Sequence, residues 1–387
     1  DPKPQGKINK WTAFSLQARA MLWSASIAKY GKVELNGLVG IPLSRATEFY
    51  TKALNASEAV ISSGKYSLYN KFPDDKVKNY QNIFLDEDNS EIIFEKPYDG
   101  VIVGHDFDVY SGPRPYTLWG NYIDPTLEFI LKYENIDGST DQPDFGAANL
   151  YNNGFSPFIK KDPRLHATVF FQGDPWMGDN IQTYEGLDPS LTPNPSAIIS
   201  GRQVSYNGVA ASGVTSRLAE AGIGGTASGF IIKKYLVEKQ LTQGQSYTNW
   251  IVFRLAEMFL IKAETEFELG DMQKAVQALN QTRVRAGISQ VDVNSITLEK
   301  IRNERMVELA FENHRIWDLI RWRTAESVLN YRFQGLRIIF HYPSGKYYFL
   351  PLNVELFSRV FQPYQYYHPI TDARINNNPD LVENPLY

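Results

Sequence analysis

Six carboxylates lie in the parts of the chain richest in Gly, Pro, Asn and Asp: Glu95, Asp106, Asp108, Asp124, Asp174 and Glu185. Glycoside hydrolysis needs two such groups facing each other across a cleft, one acid and one base or nucleophile. Acidic residues are common in any loop, and spacing pairs none of these six. His105-Asp106 with Asp108 has donor types that a metal accepts. The five histidines are scattered, however, and form no H-x-x-x-H pair, so a solvated loop accounts for the run. GIGGTASG (Gly222 to Gly229) lacks the glycine spacing of a dinucleotide fingerprint and is not followed by Lys-Ser/Thr, and it reads as a flexible connection. DGSTD (Asp137 to Asp141) lacks most of the oxygen-ligand spacing of a calcium loop. No metal and no cofactor is expected. The chain has no cysteine, which removes disulfides, thiolate nucleophiles and cysteine-held metals together.

What remains is oxygen, nitrogen and aromatic chemistry, and the rings are plentiful: 7 Trp, 23 Tyr and 22 Phe in 387 residues. Tyr110, Tyr116, Trp119 and Tyr122 lie in DVYSGPRPYTLWGNY, and Trp176 and Tyr184 in GDPWMGDNIQTY. Helix packing does not explain rings in such turn-rich segments. A sugar presents apolar C–H faces between hydroxyls, so flat rings beside Asn or Asp suit it. Trp119 and Trp176, each flanked by Gly and by Asn or Asp, are expected on exposed turns, with Asn121, Asp179 and Asn180 supplying hydroxyl contacts. The competing reading of each ring is an anchor that ties its loop to the scaffold. A net charge of −4 without a basic run gives no footprint for nucleic acid or anionic lipid. No apolar run has the length needed to span a bilayer.

Such loops need a rigid support. Trp11, Phe14, Ala18, Leu22 and Ala25 recur at helical spacing between Ile8 and Tyr30, and Gly31 ends the pattern. A second helix is expected from Ser44 to Ile61. The pattern returns from Trp250 to Leu269, with Leu255, Phe259, Ala263 and Phe267 on one stripe. Asp271, after Gly270, is placed to cap a following helix through Ala275, Ala278 and Leu279. A tetratricopeptide unit and an ordinary helical hairpin both fit this pair. Between Lys65 and Gln245, short apolar runs (IIFEKPY, ATVFFQG, GFIIKKYL) alternate with turns, as a few strands in long loops would. The expected organisation is a single domain, 1–387. It comprises a helix pair at 7–64, a loop-rich ligand-binding region at 65–248, a second pair with a signature helix at 249–323, and an irregular C-terminal segment at 324–387.

That signature, Asn303 to Arg323, reads NERMVELAFENHRIWDLIRWR. As one long helix it would gather Leu298, Ile301, Leu309, Ile316 and Ile320 into an arc of roughly 100°. Arg305 and Glu312 project into the same arc. Unpaired buried ions are costly, so these two are expected to be paired and hydrogen-bonded within a buried polar network. Trp317 and Trp322 are expected in the core.

The segment resembles the C-terminal signature of the SusD/RagB family, surface glycan-capture lipoproteins of Bacteroidota. Glu304, Arg305, Glu308, Leu309, Ala310, Phe311, Glu312, Arg315, Asp318, Leu319, Arg321 and Trp322 match the pattern, and Met306 and Asn313 depart from it. Gly6 to Gly31, YENIDG (Tyr133 to Gly138), Lys160 to Gly173, Phe253 to Gly270, Leu279 to Ile288 and the ending FLPL…NPDLVENPLY resemble further family landmarks in the family's order. The resemblance implies a mainly α, tetratricopeptide-like helical-pair scaffold with a loop-rich insertion holding a few short strands. It also implies a non-enzymatic, outer-membrane, surface-facing role with a SusC-like TonB-dependent transporter as partner. Family members look like lipoproteins with a lipid-bearing cysteine and further helices ahead of the segment that opens this chain. The sequence therefore reads as an N-terminally shortened form. Capture of peptide or another non-glycan nutrient, and a tetratricopeptide-type protein scaffold, are the alternative readings.

Overall fold

The computed structural model describes residues 6–117, 119–218 and 225–387; Gly222 to Gly224 of the expected connection lie outside them. Helix α1 (Lys10–Tyr30) begins at Asn9, whose side chain accepts the amides of Trp11 and Thr12, while the Asn9 amide donates to the Thr12 hydroxyl. It packs on α2 (Ala46–Ile61) through Ala18, Leu22, Ala25 and Ala28 against Phe49, Tyr50, Ala53 and Val60. The small residues let the two backbones approach closely. Short helices α3 (Lys76–Asn82), α4 (Phe107–Ser111), α5 (Leu127–Leu131) and α6 (Pro163–Thr168) punctuate the loop region. Helix α7 (Leu255–Leu269) then lies on α2 and brings Leu255, Met258 and Ile261 into the same core. Gly270 ends it at φ +94°, and Asp271 accepts the Lys274 amide at 3.0 Å to start α8 (Met272–Ala286), as the sequence predicts.

The strands expected at IIFEKPY, ATVFFQG and GFIIKKYL are present at Ile92–Lys96, Val169–Phe170 and Ile231–Ile232. The last two pair antiparallel with each other. Three expectations are corrected. Trp250–Arg254 is a strand rather than the first turn of a helix; its run WIVFR is aromatic and β-branched, and it pairs antiparallel with Ile92–Lys96. The segment 324–387 is not wholly irregular, since Gln334–His341 and Lys346–Asn353 form an eight-pair antiparallel hairpin, the longest ladder among the described residues. Phe340 and His341 add a parallel contact to Leu187 and Asp188. Finally, the signature is not one helix. Helix α9 (Leu298–Glu308) stops, and α10 (Arg315–Arg321) starts after a turn in which Phe311 and Asn313 have φ of +58° and +63°. Ile301 and Leu309 are buried as expected, but Ile316 and Trp317 are exposed; Trp322 is buried.

The break has an electrostatic reason. It frees backbone carbonyls that a continuous helix would consume, and basic side chains take them up. Arg254 donates to the Glu308 carbonyl at 2.7 Å, and Lys234 to the Ala310 carbonyl at 2.7 Å. The turn also swings Glu312 to Arg254 (2.7 Å) and Lys234 (2.8 Å). Arg305 instead pairs with Asp318 at 2.8 Å. Both predicted charges are therefore buried and paired, each with its own partners. Glu308 sits between Arg164, Arg254 and Arg285, and Glu91 bonds the last two again. Burial alone would raise the Glu308 carboxyl, but these three guanidinium groups outweigh it and hold it well below the usual range.

Candidate functional site

The network reaches forward into a cleft by two short links. Lys234 is fixed by Glu312, and the next residue, Tyr235, stacks on Trp250 with ring centres 5.4 Å apart at 21°. Trp250 begins the strand that ends at Arg254. The same two segments thus end in the ion pairs at one side and in an aromatic floor at the other. Phe107 meets Tyr235 edge-on at 6.2 Å.

Two further ring pairs complete the cleft, which encloses about 510 Å³. Tyr98 packs edge-on against His105 at 4.6 Å, and Tyr110 against Tyr122 at 5.2 Å and 85°. The second pair depends on a fold-back. After α4 the chain returns so that the Gly120 amide donates to the Val109 carbonyl and the Tyr122 amide to the Tyr110 carbonyl. Gly120, at φ +62°, fits only without a side chain, because a Cβ would lie 2.8 Å from the Gly112 oxygen. Asp108 anchors the start of α4: its amide donates to the Ser246 hydroxyl and its carboxylate accepts the Val237 amide. Burial raises the Asp108 carboxyl.

His105 faces the cleft with both nitrogens engaged. Nδ1 accepts the Phe107 amide at 3.2 Å, which leaves Nε2 to donate to the Thr248 carbonyl at 3.0 Å. One oxygen of Asp106 accepts the Gly244 amide. Neither is arranged as a metal ligand, and no group of three or more His, Asp or Glu able to hold an ion occurs among the described residues. By contrast, Tyr98 and Tyr122 line the cleft, neither hydroxyl has a hydrogen bond among the described residues, and Tyr122 is 64% exposed. Rings with available hydroxyls around an open volume can stack on one face of a ligand and bond its edge.

The residues singled out from sequence divide among three places. Tyr110 and Tyr122 enter the cleft; Trp119, on the same fold-back, is 39% exposed but does not line it. Asn121 lies buried behind them. Trp176 corrects the expectation of an exposed turn. It is 5% exposed, edge-on to Phe170 at 4.9 Å, in a core with Ile181, Ile231 and Leu236 that Tyr116 also contacts. Its hairpin pairs Trp176 with Asp179, so the polar tip faces water while the ring turns inward. Burial and the neighbouring Asp179 carboxylate push the Tyr116 phenol up to about 12. Asn180 and Tyr184 line a separate groove of about 370 Å³ with Asn152, Asn153, Gln172 and Tyr347. Sequence reasoning missed Tyr98, Phe107, Tyr235 and Trp250, and it weighed His105 only as a metal donor in a solvated loop. Trp250 carried a related sign, a ring beside Asn249 after a Gly- and Gln-containing stretch, but it was absorbed into the helical run Trp250 to Leu269.

The SusD family profile matches residues 90–387. SusD-like protein P25 of Formosa agariphila is 44% identical over 142 residues, covering 35% of this chain and 24% of that protein. SusD-like protein P38 of the same organism is 30% identical over 151 residues, covering 36% and 25%. These matches thus span about a quarter of each relative's length. A SusD-like protein of Bacteroides fragilis superposes with a TM-score of 0.68 at 22% identity, over 99% of this chain and 66% of that one. A SusD-like carbohydrate binding protein of the same species gives 0.59 at 19%, over 97% and 74%. Surface glycan-binding protein A of Bacteroides thetaiotaomicron gives 0.57 at 20%, over 100% and 65%. At such identities the likeness shows the fold: helix-rich, with a few short strands and no closed barrel.

Proposed function

Because the chain belongs to the SusD family, we propose that it captures a nutrient glycan without breaking it and passes it to a TonB-dependent outer-membrane transporter. The observation that carries this reading is the cleft of Tyr98, Tyr110, Tyr122, Tyr235 and Trp250, in which the hydroxyls of Tyr98 and Tyr122 have no hydrogen bond among the described residues. The likeness to a SusD-like carbohydrate binding protein and to a surface glycan-binding protein supports it. Asp106 is the sole carboxylate among the lining residues described, one short of the pair that glycoside hydrolysis uses.

Each aromatic contact adds about 0.5–1.5 kcal/mol beyond burial, so a few rings and wet hydrogen bonds give weak, reversible capture. Weak capture suits delivery. Holding the ligand beside a transporter raises its local concentration above what affinity alone achieves. The proposed setting is the outer surface, with a lipid anchor; among the described residues no helix is long and apolar enough to cross a membrane.

Affinity electrophoresis on a panel of polysaccharides tests the reading. Retardation by at least one, without release of reducing ends, is expected. Release of product would replace capture by catalysis, and binding of peptides with no glycan retarded would replace the ligand class.

A further inference from the structure

Arginines on α9 and α10 fall into two sets. Arg305 and Arg321 are buried, and both bond Asp318 at 2.8 Å; Arg321 also bonds Glu264. Among the described residues Arg302 and Arg315 have no carboxylate within 4 Å and no hydrogen bond, Asp318 acting on Arg315 only from farther away, and both line one cleft of about 420 Å³ at the side of the signature segment. Arg302 lies over the rings of Tyr30 and Trp322, at 5.1 and 4.8 Å, and its Nε and Nη2 are buried without a partner. A guanidinium with desolvated donors that meet no acceptor is an exception among buried polar groups; Arg305 Nη1 and Arg285 Nε are also without a partner, but those two groups pair with carboxylates through their other nitrogens, as Arg302 does not among the described residues.

Lys132 joins them from the end of α5. Its carbonyl accepts the Asn303 side-chain amide at 3.0 Å, which ties that turn to α9. Glu299 is the sole carboxylate in the lining, so three cations face one anion and the cleft carries a net charge of +2. The Tyr331 hydroxyl and the Thr324 and Ser327 side chains give it hydroxyl groups as well. Its volume is that of a small-molecule site.

We propose that this cleft is a second ligand site, separate from the aromatic one, that takes a sugar unit bearing an oxyanion, a carboxylate or a sulfate, between Arg302, Arg315 and Lys132. The sugar part of this inference rests on the glycan reading above; the anion part rests on the unpartnered guanidinium groups. The pairing would give Arg302 and Arg315 the charge-assisted hydrogen bonds that Arg305 and Arg321 already have.

Isothermal titration with D-glucuronate, glucose 6-sulfate and D-glucose, at 20 and 300 mM NaCl, tests it. Both anions are expected to bind, more weakly at high salt, while glucose gives no salt-dependent heat. Arg315→Ala and Lys132→Ala remove side chains that pair with no carboxylate, so both variants should fold normally and bind the anions about tenfold more weakly. Tyr122→Ala should leave anion binding unchanged. Equal binding of anions and glucose overturns the proposal, as does full anion binding by Arg315→Ala. Loss of anion binding in Tyr122→Ala would assign it to the aromatic cleft and also refute the second site. Anion binding that persists when no polysaccharide is retarded would fell the glycan reading and leave this site standing.

Discussion

Behind the turn at Leu309 to His314 and in the aromatic cleft, the chain gathers the same materials, aromatic rings against polar side chains, to opposite ends. In the first region Arg254, Arg164, Arg321 and their carboxylates are at most 6% exposed, and each charge meets an opposite one. In the second, ring edges meet ring faces and the hydroxyls of Tyr98 and Tyr122 are left over. Satisfied polar groups rigidify, whereas unsatisfied ones at an open surface are available to a ligand. In this fold the most recognisable segment is structural, and the groups available to a ligand lie elsewhere.

The comparison breaks most severely at Glu308. Removing it takes one shared carboxylate from Arg164, Arg254 and Arg285 at once and leaves an excess of buried positive charge on their remaining partners, so Glu308→Ala is expected to cost about 5 kcal/mol in urea unfolding, with Glu312→Ala costing about 3–5 kcal/mol. Losses near zero would show that these charges are solvated. Trp176 sharpens the contrast from the other side. As a core ring, Trp176→Ala should cost about 3–5 kcal/mol, whereas an exposed platform would leave the unfolding midpoint unmoved.

Acid should dissolve the first region in order. His314 Nδ1 receives the Arg305 guanidinium at 3.2 Å. Burial, with Arg305 adding to it, lowers the imidazole to about 4. The unfolded chain, titrating near 6.5, binds that proton first, so stability falls as pH drops from about 6.5 to 4. Burial would raise the carboxyls of Glu257 and Asp318, but the surrounding cations prevail and hold both at about 2. Their contribution is complete above about pH 4.5 and is lost on descent towards 2. Thermal melts across pH 2–7 check this, and His314→Gln should flatten the upper part of the curve. A melting temperature independent of pH over that range would contradict the pairing. The smallest effect is expected at Asn313, in the left-handed region at φ +63°. Asn313→Gly should change stability by less than about 0.5 kcal/mol and Asn313→Ala should cost about 1 kcal/mol.

The same contrast explains what was legible. Helix pairs announce themselves locally, through Ala18 to Ala28 and Leu255 to Phe267 at helical spacing, and Gly270-Asp271 spells its own stop and start. Arg305 and Glu312 in an apolar arc signalled a buried network correctly. The helix break was also written there, because Asn313 is a residue type that tolerates the left-handed region a turn needs; continuous periodicity masked it. Of the cleft only Tyr110 and Tyr122 were legible, since Tyr98, Tyr235 and Trp250 come from segments up to 152 residues apart and meet only through tertiary packing. Trp176 misled because its Gly and Asp neighbours do form a turn, but the hairpin aims the ring inward.

Glycan retardation of the wild type and Tyr122→Ala, run in one gel series beside their thermal melts, tests the central claim most directly. Tyr122 is exposed and belongs to the cleft, so its loss should cost about 1 kcal/mol of affinity, roughly fivefold. Its melting temperature should stay within about 2 °C of wild type. Equal retardation of the two proteins, with both fully folded, would contradict the assignment of capture to this cleft.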